Sequence, residues 1–296
     1  MKKISLFILF SISMSLVSLA QTKKTNKAKP AAKPAAKHTT IYASKAPVAK
    51  NTMVEISTIY GKMVVKLYNE TPIHRDNFIK LVKEGFYDSL LFHRIIKSFM
   101  IQGGDPLSKT ADSNAMLGAG DIGYKLPAEI NPELFHKRGA LAAARDNNPE
   151  KMSSGCQFYI VQGRTYTAKE LESILNNRNM THKQEILYKI YQSDTVQATL
   201  SAFQNMGDKD QTRTYMDKVH VVVDQTYKTM YPDAEKPNQN QVQTYLEFGG
   251  APHLDGSYTV FGELVSGFDV LDAIANTQTK PGDRPVTDLR MKMRLL

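Results

Sequence analysis

In Phe92-His93-Arg94-Ile95-Ile96-Lys97-Ser98-Phe99-Met100-Ile101-Gln102-Gly103-Gly104-Asp105, two short apolar runs carry polar side chains at Arg94 and Gln102 and end in a glycine pair. The runs, Leu90 to Ile96 and Phe99 to Gln102, read as strands. Upstream, Val54, Ile56 and Thr58 alternate with Glu55 and Ser57. Tyr60-Gly61-Lys62 supplies a turn, and Met63, Val65 and Leu67 alternate again, so a β-hairpin is expected. Thr71 as N-cap, Pro72 at the first helical position, the stripe Phe78, Leu81 and Val82, and Gly85 past the end predict a helix. Downstream, Ala140 to Ala144, Gln157 to Gln162 and Tyr258 to Gly262 read as further strands. A second helix, Phe268 to Asn276, precedes a last strand in which Leu289, Met291, Met293 and Leu295 face one way. Many short strands with few helices suggest a barrel or sandwich.

The block from Phe92 to Asp105 resembles the signature of the cyclophilin-type peptidyl-prolyl isomerases. The resemblance continues, in the family's order, through Gly139-Ala140-Leu141-Ala142-Ala143-Ala144-Arg145, Ser154-Gly155-Cys156-Gln157-Phe158-Tyr159-Ile160 and His253-Leu254-Asp255-Gly256-Ser257-Tyr258-Thr259-Val260-Phe261-Gly262. It covers roughly residues 53 to 164 and 248 to 296. It implies a mainly β fold, a closed eight-stranded antiparallel barrel with a helix over each end, and isomerisation of X-Pro bonds.

That reaction needs no nucleophile. Rotation about the peptide bond faces a barrier of roughly 18–20 kcal/mol because the nitrogen lone pair is delocalised into the carbonyl. A catalyst must hold the proline ring while the carbonyl side twists, and must place a donor where the nitrogen becomes pyramidal. The resemblance implies that Arg94 is this donor, a rigidly forked and permanently charged group. It implies that Gln102 orients the guanidinium or bonds the substrate backbone. Phe99, Met100, Tyr159 and Leu254 match the proline pocket, Ala144 and Arg145 the strand that pairs with the peptide, and Gln157 the polar wall of the groove. His93 is expected near the substrate in a packing or hydrogen-bonding role, since no proton transfer is required. His253 stands where many eukaryotic members carry Trp, Tyr258 where His is frequent, and Arg145 where Asn is frequent. With no Trp in the chain, tight cyclosporin binding is not expected; Tyr258 implies altered preference rather than lost activity, and Arg145 a tuning of substrate charge.

Other motifs are set aside. Gly118-Ala119-Gly120-Asp121-Ile122-Gly123 matches the dinucleotide fingerprint in letters, but it follows a polar loop and leads toward Pro127, not into a helix. The seven histidines lack metal-ligand spacing, and the single cysteine, Cys156, has no evident activating partner and reads as a packing residue. No metal and no cofactor are expected.

The chain has 296 residues, 42% apolar and 23% charged, ordinary globular usage. Its formal charge of +9 is concentrated at one end: residues 1 to 50 hold ten Lys and no Asp or Glu, which leaves 28 basic against 29 acidic side chains elsewhere. A near-neutral folded part lacks the footprint of a nucleic-acid binder. Residues 1–20 read as a cleaved secretory signal: Lys2 and Lys3, an apolar run from Ile4 to Leu19, then Ser18-Leu19-Ala20. With no cysteine at the cleavage point, a periplasmic destination without a lipid anchor or stable membrane insertion is expected. Residues 21–50, rich in Lys, Ala and Pro, read as a disordered linker.

The folded domain would then be 51–296, interrupted by an insertion over 165–247 that the compact family does not explain. It reads as helical, with capping-box patterns at Thr167/Glu170 and Thr181/Gln184. Apolar stripes run through Leu171, Ile174 and Leu175, through Ile186, Leu187 and Ile190, through Val196, Leu200 and Phe203, and from Tyr215 to Met230. Val221-Val222-Val223 is locally strand-like. Both flanking elements feed the expected active face, so the insertion is expected beside the groove, controlling access without entering the bond rotation. Two functions follow: a monomeric, exported isomerase acting on proline-containing unfolded or extended polypeptides, or a non-catalytic chaperone or adaptor that binds clients through the insertion.

Overall fold

The structure, a computed structural model, describes residues 52–232 and 238–296; the expected signal and linker lie outside the described residues. The hairpin forms as β1 (Met53–Thr58) and β2 (Gly61–Leu67), followed by α1 (Pro72–Lys83). Thr71 stands at the N-cap of α1, but its hydroxyl makes no capping bond. The orphan donors go instead to a distant carboxylate: Glu129 accepts from the backbone N–H of Ile73 at 3.0 Å and of His74 at 2.9 Å. Gly85, at φ +66°, follows the C-cap as expected.

The remaining strands are β3 (Phe92–Ile96), β4 (Met100–Gly103), β5 (Lys125–Leu126), β6 (Ala140–Ala143), β7 (Ser153–Ser154), β8 (Phe158–Val161), β9 (Val260–Ser266) and β10 (Lys292–Leu295). Eight of them form one antiparallel sheet in the order β10-β1-β2-β9-β6-β8-β4-β3, while β5 pairs with β7 separately. This corrects the expected closed barrel: the sheet is open and curled, with no ladder between its edges β3 and β10. The donors on the edge of β3 are met by the segment before β10, Phe92 N–H by the Leu289 carbonyl and Ile95 N–H by the Asp283 carbonyl, with a single bridge between Leu91 and Arg290. Pro281 and Pro285 lie in that segment and lack an N–H, and Asp283 is held at φ +66°, so the chain there cannot run as a continuous strand.

The two-residue period of the strands divides the sheet's faces. Ile95, Ile101, Ile160 and Leu141 stand opposite one another across β3, β4, β8 and β6 and point into the main core, where Phe78 of α1 and Leu271 and Ile274 of α6 (Phe268–Ala275) close the ends. Arg94, Gln102, Tyr159 and Ala142 occupy the alternate positions in the same register and point to the other face.

Between β8 and β9 the chain makes four helices, α2 (Ala168–Tyr191), α3 (Asp194–Asn205), α4 (Lys209–Met230) and α5 (Gln239–Glu247). The Thr167/Glu170 capping box starts α2. The second expected box does not cap anything: Thr181 lies inside α2 and its hydroxyl donates to the Asn177 carbonyl. Nor is Val221-Val222-Val223 a strand. Val219, Val223 and Tyr227, four residues apart on α4, are buried against Ile186 of α2, and this helical stripe overrides the local β-propensity. The excursion closes at its base, where Arg164 and Gly250 pair. Gly163 sits there at φ +68°, and a Cβ on it would come within 2.5 Å of the Gly250 Cα, so only glycine fits. Helix α2 packs against the turn Pro252–Leu254, beside the face that carries Arg94 and Gln102.

Candidate active site

A cleft of about 170 Å³ opens on that face, lined by Arg94, Phe99, Met100, Gln102, Ala144, Arg145, Tyr159, Leu254 and Tyr258. Nine of the twelve residues singled out from sequence therefore meet in one place. Strand register explains most of it, because Arg94 faces Gln102 and Gln102 faces Tyr159 across adjacent ladders. Phe99 is set by the turn before β4: Gln162 accepts from the Ser98 N–H through its side chain at 2.6 Å, and its own backbone N–H donates to the Phe99 carbonyl.

The Arg94 guanidinium is half-exposed and held on two sides. Its Nη1 donates to Gln102 Oε1 at 3.4 Å and its Nε to Asp283 Oδ2 at 3.3 Å, while Nη2 has no protein partner among the described residues. Gln102 is fixed in turn, since its Nε2 donates to Gln157 Oε1 at 3.1 Å.

The other three residues lie off the cleft. Gln157 is buried behind Gln102 rather than forming the polar wall, and its Nε2 donates to the Gly118 and Gly120 carbonyls at 3.0 and 2.7 Å. The glycine loop rejected as a nucleotide site is thus tied to the arginine through two glutamines, and the buried Asp105 carboxylate accepts from its Gly118 and Gly120 N–H groups. His93 is buried where β3 is irregular, its ring beside Gly118, and burial lowers its pKa to about 4. His253 sits outside the cleft with its ring 5.2 Å from that of Phe99.

Ala144 also differs from expectation as a peptide-pairing residue. Its N–H donates to the Gln157 carbonyl and its carbonyl accepts from the Ser154 N–H. Arg145, by contrast, makes no backbone hydrogen bond among the described residues. Its guanidinium is anchored to the Ser257 and Asp146 carbonyls and lies over the Tyr258 ring at 4.8 Å. Cys156 is buried, and burial pushes its thiol up to about 11, in keeping with packing rather than reactivity.

Sequence reasoning missed His136, Asp255, Asp283 and Tyr245. The buried His136 bonds Asp255 through Nδ1 and Tyr159 through Nε2, both at 2.9 Å. Asp255 lies within the His253 to Gly262 block, where a polar residue between Leu254 and Gly256 was the available signal. Among the described residues, no three His, Cys, Asp or Glu side chains converge on a possible metal position.

The family model for "Cyclophilin type peptidyl-prolyl cis-trans isomerase/CLD" matches residues 53–182 and 188–294. A Streptococcus pyogenes protein, named as a bifunctional phosphatase and peptidyl-prolyl cis-trans isomerase, is 32% identical over 241 residues. The match covers 80% of this chain and 37% of that protein, so the chain spans little more than a third of that relative. Proteins assigned by name to the peptidyl-prolyl cis-trans isomerases are similar over most of their length. One from Staphylococcus saprophyticus is 29% identical, with 77% of this chain and 83% of that one covered; one from Staphylococcus aureus is 30% identical, with 80% and 87% covered. A crystal structure of a Cryptosporidium parvum cyclophilin-type isomerase is 20% identical, with a TM-score of 0.49 over 83% of this chain and 98% of that one. The ordered signature blocks and the extent of the family match make this chain a member of the cyclophilin-type peptidyl-prolyl cis-trans isomerases.

Proposed function

We propose that the chain isomerises X-Pro bonds in extended segments of exported polypeptides, with Arg94 as the group that stabilises the twisted amide. The observation that carries this reading is the half-free guanidinium of Arg94 in the same cleft as the apolar surfaces of Phe99, Met100, Tyr159 and Leu254. The apolar side grips a proline ring in either isomer. The arginine bonds best when the nitrogen lone pair has left conjugation, so its interaction grows toward the transition state. An acceleration on the order of 10⁵ asks for about 7 kcal/mol of such differential stabilisation. The backbone of Arg145, without a hydrogen-bond partner among the described residues, is the place for the substrate main chain to pair, and its guanidinium favours acidic or polar residues flanking the proline.

Export rests on residues 1–20, whose basic, apolar and small-residue order suits a secretory signal. A protease-coupled isomerisation assay on a short X-Pro peptide tests the catalytic reading. Turnover by the unaltered protein and its loss in Arg94→Ala, with an unchanged melting temperature, support it; a protein without turnover is a binding scaffold instead.

A further inference from the structure

The pocket wall is braced by the insertion. Tyr245 of α5, buried, donates its hydroxyl to Asp255 Oδ2 at 2.7 Å. Asp255 Oδ1 accepts from both the backbone N–H and Nδ1 of His136 at 2.9 Å, and His136 Nε2 meets the Tyr159 hydroxyl at 2.9 Å. A carboxylate only accepts, so His136 carries a proton on Nδ1, and its Nε2 is the partner of the Tyr159 hydroxyl. Burial holds the Tyr159 and Tyr245 phenols well above their usual pKa, so both remain donors at every physiological pH.

Each member of this chain has its bonding fixed by the next, and Tyr159 is its only member that lines the cleft. The Tyr159 hydroxyl is committed inward, leaving its ring as the cleft surface. His136 stacks on that ring at 6.0 Å, and Tyr258 meets both edge-on, at 6.0 and 6.3 Å. Phe135 and Tyr166 both meet the Tyr245 ring edge-on, at 5.5 and 6.4 Å, so its hydroxyl has a defined aim.

We propose that Tyr245 is a positioning residue for the proline pocket: through Asp255 and His136 it fixes the Tyr159 ring, so that the insertion sets how tightly the cleft holds proline. This rests on the cleft being the substrate site. A wall that grips both isomers and the twisted state alike contributes uniform binding, and loosening it should raise KM and leave kcat alone.

The test is a double-mutant cycle in the full chain, with KM and kcat measured on a short X-Pro peptide. Tyr245→Phe keeps the ring and removes the hydroxyl; we expect KM to rise about fivefold with kcat within about twofold. Tyr159→Phe cuts the link at the pocket, and in that background Tyr245→Phe should add nothing. Asp255→Asn reads the same link if Tyr245→Phe proves too unstable to purify. A lowered melting temperature with unchanged KM, or additive effects of the two substitutions, overturns the inference while leaving the isomerase reading intact. Absence of turnover in the unaltered protein removes the isomerase reading itself, and the inference with it.

Discussion

The Asp283 carboxylate stands 3.3 Å from Nε of Arg94, joining residues 189 positions apart. Both side chains are 43% exposed, so solvent screens the pair, and its net worth is about 0–1 kcal/mol. Its consequence is orientation: Asp283 and Gln102 bond different nitrogens of the guanidinium and leave Nη2 without a protein partner among the described residues. Asp283→Asn retains an acceptor and should keep kcat/KM within about twofold, whereas Asp283→Ala should lower it about threefold to fivefold. Equal losses in both variants, measured in the coupled assay, would show that the charge rather than the orientation matters.

Gln157 supplies the second support. Replacing it with Leu keeps the approximate volume but leaves the Gly118 and Gly120 carbonyls and the Gln102 amide without their partner. An unsatisfied buried group costs about 1–3 kcal/mol, so chemical denaturation should show a loss of that size. The coupled assay should show about a tenfold fall in kcat/KM as Gln102 and the glycine loop drift. Stability loss with full turnover would separate the loop from the catalytic arginine.

The parts of this molecule that were legible in the sequence are those governed by local period. Ile95, Ile101 and Ile160 face inward because strands alternate, and Arg94 and Gln102 face outward for the same reason. What escaped depends on partners far along the chain. Glu129 caps α1 in place of the Thr71 hydroxyl across 56 residues, and Tyr245 reaches Asp255 from a helix that no stripe announced. The open edge was hidden likewise, since family likeness implies a closed barrel while closure here hinges on how the proline-containing segment before β10 meets β3. The place of His93 was not legible either, because the strand period breaks between Phe92 and Arg94.

His93 makes stability fall on acidification. Above about 6.5 it is neutral whether the chain is folded or not; between there and its folded value of about 4, the unfolded chain binds a proton that the folded one refuses. The stabilisation is therefore complete above the unfolded pKa and lost as pH falls through this window, by about 3 kcal/mol in full. His93→Leu should flatten the dependence of the urea midpoint between pH 7 and 4.5. An equally steep profile in that variant would assign the acid sensitivity to other groups.

The insertion divides into a part that touches the pocket and a part that does not. Arg164 and Gly250 pair at its base, so the excursion can be shortened without separating its ends. All the cleft-lining residues lie outside it. Helices α2 and α4 share a small core of Ile186, Val219, Val223 and Tyr227, whereas α5 supplies Tyr245. Replacing residues 168–237 with a Gly-Ser connector that keeps α5 should preserve turnover of a tetrapeptide, while extending the replacement through residue 247 should raise its KM about fivefold, as for Tyr245→Phe. Both variants should lose assistance in refolding a proline-limited protein client, because α2 borders the Pro252–Leu254 turn at the edge of the cleft. If refolding assistance and tetrapeptide turnover both survive removal of α2 to α4, with circular dichroism confirming a folded sheet, those helices play no part in choosing clients.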